Sequence, residues 1–305
     1  MRRPRTLSAF TEEEKKTAHR LLATRVAFMM GRKFEEGDWA DIYCAAKNIP
    51  HKGWSNLEID VMHGSLGVEH KMLCYRSRVN LLEACGKTLM HPAATRSIRV
   101  PATETSPDET MRQVLKQYGE LIKARRTKVR EQSGVAETPD LRTGWLLWQE
   151  SLRQFLYFEE EMLVPNPNDY TAEWVSSGGG NRKESKNLWV YEKKTGIKRY
   201  SITTAAGAKI QPYFDVPPPT DPNLYLFTVI GEIIDTGLVR VWVTEATAQE
   251  LRRLLGAVDT NALSETILQC AEAAPHLLPT ESISVEAAEA FMITEPAYVA
   301  LSNEN

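Results

Sequence analysis

Long apolar stretches are missing from this chain of 305 residues. With no run of about 18 apolar residues, no membrane-spanning helix is expected. The opening Met1-Arg2-Arg3-Pro4-Arg5 lacks the apolar core of a secretory signal, so a cytoplasmic protein is expected. Cysteine is scarce: the four, at 44, 74, 85 and 270, form no Cys-x-x-Cys pair. This argues against structural zinc and for free thiols in a reducing compartment. The six histidines show no His-x-x-x-His spacing. No Gly-x-Ser-x-Gly elbow points to a serine hydrolase. An excess of positive charge is also absent, the net charge being −3. Any contact with nucleic acid must therefore come from local basic clusters. Apolar residues at 42% and charged ones at 25% describe an ordinary globular protein, long enough for two modest domains.

The stretch that is most informative runs from Leu57 to Tyr75 and reads as strand, turn, strand. Leu57, Ile59 and Val61 alternate with Glu58 and Asp60; Val68, His70 and Met72 alternate with Glu69, Lys71 and Leu73. A strand has a side-chain period of two, so Glu69 and Lys71 share a face and His70 points the other way. Gly64 and Gly67 bracket the reversal. Such a hairpin brings Asp60, Glu69 and Lys71 to one edge. Carboxylate oxygens hold a hard divalent cation, and an ammonium beside them can act on a water. On a solvated hairpin the same residues would be an ordinary ion pair.

Asp60, eight intervening residues, and then Glu69-His70-Lys71 inside an apolar strand resemble the PD-(D/E)xK nuclease superfamily, which includes most type II restriction endonucleases. Ile59 stands where the motif name has proline. The resemblance implies an α/β, restriction-endonuclease-like core, a small mixed sheet flanked by helices. It further implies Mg²⁺ held by Asp60, Glu69 and the His70 carbonyl, with Lys71 orienting or deprotonating the attacking water. By the same resemblance the substrate is double-stranded DNA, cut at a short palindrome by a homodimer. Glu58, on the face of Asp60, is a candidate for a second ion, and His63 in the turn for a phosphate contact. A defence or repair nuclease with little sequence preference is the neighbouring reading. A non-catalytic DNA- or RNA-binding protein is the reading from another class.

Around this stretch the chain divides into an expected nuclease domain, 1–135, and an α+β specificity domain, 136–305. Thr11 and Glu14 have capping-box spacing and open a helix to about Lys33. A short helix is expected over 38–47 and another over 77–89. Ser106-Pro107-Asp108-Glu109 starts a helix to about Gln132 whose end carries Lys123, Arg125, Arg126, Lys128 and Arg130. Those cations complement the helix dipole or contact phosphates. A further helix, Asp140 to Met162, is expected to bury its aromatic residues. Strands follow, with hairpins at Lys193-Lys194-Thr195-Gly196 and Asp235-Thr236-Gly237.

The glycine-rich stretch from Ser176 to Lys186 lacks the Gly-Lys-Ser/Thr ending of a nucleotide P-loop. It fits a DNA-contacting loop, with Lys183 and Lys186 as candidates. Lys198 and Arg199 on the next ribbon are candidate base readers. Glu184-Ser185-Lys186, with Asp169 upstream, is a second Glu-x-Lys and the competing location for the active site.

Overall fold

The computed structural model describes residues 5–28, 34–50, 59–75, 80–92, 98–100, 105–133, 138–149, 152, 154–177, 185–204, 209–229, 233–235, 237–244, 249, 251–253, 255–256, 259–273 and 288–298. After a two-residue strand β1 (Thr6–Leu7), helix α1 (Glu12–Phe28) begins at the expected capping box. The Thr11 amide donates to Glu14 Oε2 at 2.7 Å and the Glu14 amide to Thr11 Oγ1 at 3.2 Å. In α2 (Glu36–Ala46) the Asp38 carboxylate takes the orphan Glu35 amide. Arg25 ties the two helices by reaching Asp38 and Asp41.

The hairpin is where the alternation places it. Strands β2 (Val61–His63) and β3 (Leu66–Cys74) pair antiparallel with His63 opposite Leu66. Gly64, at φ +55°, opens the two-residue turn, the position where a glycine is wanted in one hairpin type. Gly67 has a different role. A Cβ there would lie 2.6 Å from Val129 Cγ2 and 3.1 Å from Leu141 Cδ1, so its lack of a side chain lets a helix settle directly on β3.

That helix is α3 (Pro107–Ser133), and it crosses from β3 to β5 (Asp140–Trp148), which runs parallel to β3. Before α3 the chain makes a 3-10 turn at Leu81–Ala84 and strand β4 (Thr88–Met90). Strand β6 (Gln154–Glu161) returns antiparallel to β5. The first sheet is ordered β1-β6-β5-β3-β2, with a later strand also pairing β6. The expected helix over 140–162 is thus two strands. Both faces of these strands are buried, so Trp145 and Leu147 face one core while Leu146, Phe155 and Tyr157 face another. A doubly buried strand shows no polar alternation and looks like a buried helix in sequence.

Strands β7 (Tyr170–Ser177), β8 (Ser185–Glu192), β9 (Lys198–Thr203) and β10 (Lys209–Asp215) join β4 in a second sheet, ordered β4-β10-β9-β8-β7. Gly196, at φ +68°, closes the expected β8–β9 hairpin. Strand β11 (Tyr225–Thr228) returns to β6 in the first sheet. Strands β12 (Ile233–Asp235) and β13 (Leu238–Thr244) form the other expected hairpin. After helix α4 (Thr260–Ala273), β14 (Ala288–Thr294) completes that small third sheet.

The division expected near residue 135 falls inside the β3–α3–β5 crossover. Strands from both sides of it build both large sheets. The 77–89 helix is instead the 3-10 turn and β4, with 76–79 outside the described residues. Among the described residues no helix is long and apolar enough to cross a membrane.

Helix α3 joins two cores. Met111, Val114 and Leu115 pack with Leu188, Val190, Ile202 and Ile210 of the second sheet. Ile122 and Val129 pack with Ile59, Leu141 and Met162 of the first. Gly67→Ala should therefore push α3 off β3 and destabilise the protein by about 1–3 kcal/mol, as overpacking does. Urea denaturation of the two proteins measures it; an unchanged midpoint would mean the helix has room to move.

Candidate active site

Continuing the hairpin register by one step past Val61 and Val68 sets Asp60 opposite Glu69. Directly opposed residues of an antiparallel pair have Cβ atoms about 5 Å apart. Two carboxylates are thus held together at the point where β2 ends. The Asp60 side chain does one further thing there. Among the described residues no strand pairs the outer edge of β3 beyond Val68, and Asp60 Oδ2 accepts the His70 amide at 2.6 Å. His91 Nε2 donates to the Met72 carbonyl on the same edge at 2.8 Å. Alternate residues of a strand present both backbone groups to one side, so the His70 carbonyl lies on this edge between them.

Glu69 is 7% exposed. Its Oε1 accepts Lys71 Nζ at 2.7 Å and Arg125 Nη2 at 2.9 Å. Its Oε2 is buried with no hydrogen-bond partner among the described residues. Arg125 arrives because it stands one turn before Val129, on the helix face that Gly67 admits. In the sequence the α3 cations suit a helix end or a phosphate equally; the tertiary packing brings one of them, Arg125, to Glu69. Glu36, in the first turn of α2, is the other participant that the sequence did not reveal. Burial raises its pKa, the Lys71 ammonium opposes that and the Glu69 charge adds to it, so the three lie within one field.

Burial, reinforced by Glu69, raises the Asp60 pKa to about 7 against the pull of Lys71. Lys71 behaves oppositely. Burial works against its charge, but Glu69, Asp60 and Glu36 outweigh burial and raise its pKa, so it is an ammonium at neutral pH. The acidic groups outnumber the cations, one buried carboxylate oxygen is unsatisfied, and a neighbouring carboxyl tends to keep a proton. A hard divalent cation would relieve all three conditions. Asp60 and Glu69 fit such an ion. No group of three or more acidic, histidine or cysteine ligands occurs among the described residues, so water and backbone oxygen would complete the shell.

His70 points to the opposite face, fully buried among Trp39, Tyr43 and Tyr157. Tyr157 gives its single hydroxyl proton to Glu159 at 2.8 Å, so His70 Nε2, 3.2 Å away, carries the proton it shares with Tyr157. Burial lowers the ring's pKa to about 3, which keeps it neutral. Arg142 balances Glu159 at 2.9 Å. Gly144 of β5 makes room for this pair, since a Cβ there would stand 2.7 Å from His70 Cδ2. The network clamps β3 from behind and so fixes where Glu69 and Lys71 point.

Glu69, Lys71 and Arg125 open on a cleft of about 820 Å³ whose far wall is the second sheet. Across the first sheet, Glu69, Thr143 and Glu160 are successive cross-strand partners and share this wall. Burial raises Glu160 to about 7, even though Trp145 Nε1 donates to it at 2.8 Å.

The candidate DNA contacts fare differently. Arg199 is buried, the unpaired residue of a bulge between Val190–Tyr200 and Tyr191–Lys198. The bulge turns it inward, where Glu192 and Asp215 hold its guanidinium at 3.3 and 2.9 Å. It ties the second sheet together and is not an outward base reader. Lys198 Nζ lies 3.4 Å over the Trp189 ring. Lys186 is exposed at the start of β8, and His63 is exposed beside the hairpin turn. Lys183, Glu184 and Glu58 lie outside the described residues.

A scan of protein-family models and searches of curated proteins and of solved structures found no match to this chain.

The folded protein binds a proton at Asp60 more tightly than the unfolded chain, whose carboxyl titrates near 3.8. The resulting stability is complete below the unfolded value and is lost as pH rises through about 7. Asp60→Asn should therefore gain on wild type by on the order of 1 kcal/mol in going from pH 5 to pH 8 without metal. Ca²⁺ at pH 8 should stabilise wild type and narrow the gap. Thermal melts at the two pH values test this; a gap independent of pH and of Ca²⁺ would contradict the opposed-carboxylate geometry.

Proposed function

We propose that the chain is a metal-dependent nuclease that hydrolyses DNA phosphodiester bonds at the end of the β2–β3 hairpin. The observation that carries this reading is the opposed pair Asp60 and Glu69, with a buried unsatisfied oxygen and two cations on the same carboxylate. Asp60 and Glu69 would hold Mg²⁺, with the His70 carbonyl on the same edge. When bound, the ion neutralises charge on the scissile phosphate and lowers the pKa of the attacking water. Lys71 keeps its proton among three carboxylates, so it orients water and offsets phosphate charge and is not a base in the resting protein. Arg125 supplies a second fixed cation at the same spot, where a planar guanidinium suits phosphate oxygens. The charge of Glu36, at the start of α2, helps keep Lys71 protonated. The arrangement of helices, hairpin and helix around a mixed sheet is the setting that the PD-(D/E)xK resemblance leads one to expect. It supports the nuclease reading without extending to a recognition sequence.

The experiment is DNA cleavage, with DNA supplied both as duplex and as single strands, in Mg²⁺ or Mn²⁺ and in EDTA. Cleavage should require the metal, and Asp60→Ala and Glu69→Ala should each abolish it while folding survives. Lys71→Ala should lose about 10²–10⁴-fold in rate and keep DNA binding. Undiminished cutting by either carboxylate variant would remove the assignment, and binding without any cutting would favour a non-catalytic nucleic-acid-binding protein.

A further inference from the structure

We infer that the nucleic acid reaches Glu69 as a single strand, at a strand end, fork or unpaired stretch, and lies in the cleft between the two sheets. This rests on the nuclease reading above and concerns the form of its substrate. Glu69 is 7% exposed, and the Lys71 and Arg125 side chains on it are 26% and 27% exposed. A phosphate must enter the cleft to meet them. At about 820 Å³ the cleft has the capacity of a small-ligand site, whose usual range is about 300–1,000 Å³. Packed sheets stand about 10 Å apart, whereas a duplex is wider than its own major groove of about 12 Å.

The far wall cannot swing away to admit a duplex. Trp145 of the first sheet stacks on Phe214 of the second at 3.9 Å and 12°. Helix α3 is packed into both cores, so opening the cleft would split them. The cleft's lining suits one strand. Lys71 and Arg125 stand there for the phosphate, and the rings of Tyr118 and Tyr200, packed edge to face, line the wall beside them. Aromatic rings beside cations are what single strands stack on.

The test uses end-labelled oligonucleotides of one sequence, as single strand, blunt duplex and forked duplex, with a covalently closed plasmid. Cleavage is followed in Mn²⁺ and binding by fluorescence anisotropy in Ca²⁺. The expected result is cutting of the single strand and of the fork's unpaired arm. Blunt duplex and closed plasmid should be cut at least tenfold more slowly, with binding in the same order. Tyr118→Leu, which keeps an apolar side chain between the cores and removes the ring beside Lys71 and Arg125, should weaken single-strand binding about tenfold in a protein that still melts cooperatively. Closed plasmid cut and bound as well as single strands would overturn this inference and leave the nuclease reading standing. Tight selective binding of single strands with no cutting would support the cleft assignment and overturn the nuclease reading. Equal or absent binding of all forms, or undiminished binding by Tyr118→Leu, would overturn the placement of a strand in the cleft.

Discussion

Close packing of α3 on Gly67 is the constraint from which the rest of the arrangement follows. With no side chain at that position, Val129 descends onto β3, and Arg125, one turn earlier, is brought onto Glu69. The other half of the same helix is packed into the second sheet. One helix therefore sets the crossover that makes β3 and β5 parallel, delivers a cation to the candidate site, and fixes the wall facing it. The opposite face of β3 is clamped as firmly, through neutral His70, Tyr157 and the Glu159–Arg142 pair. A strand held from both sides can carry two like charges at its frayed edge, a placement that would be unfavourable without a counter-ion.

Short local signals were enough to read some elements. The Thr11–Glu14 box, the Ser106-Pro107 helix start and the two glycine-closed hairpins are all where their residues place them. The juxtaposition of Asp60, Glu69 and Lys71 was also readable, because a hairpin of known register determines which residues face each other. Strands β5 and β6 were not. Their runs, Trp145 to Trp148 and Phe155 to Phe158, are buried on both sides and carry no period to distinguish strand from helix. Those two strands, from beyond residue 135, lie in one sheet with β2 and β3 from before it.

The surroundings of the site depended on contacts between elements far apart in sequence. Arg125 reads as a helix-end cation until α3 is placed, and Glu36 as one acid among several before a helix. Arg199 shows the converse. Its position on a lysine-rich ribbon suggested a base reader, and a single unpaired residue in the ladder turned it into an internal tie to Glu192 and Asp215. A bulge reverses the side a residue faces, and nothing in the local composition announces it.

Everything proposed for this protein requires that Asp60 and Glu69 together form a cation site at the edge of β3. Anomalous diffraction from crystals grown with Mn²⁺ tests it most directly. One peak is expected between the two carboxylates, within reach of Glu69 Oε2 and the His70 carbonyl, and it should be lost in crystals of Glu69→Gln. Manganese bound instead beside Glu184 or Asp215, with the edge of β3 empty, would contradict it.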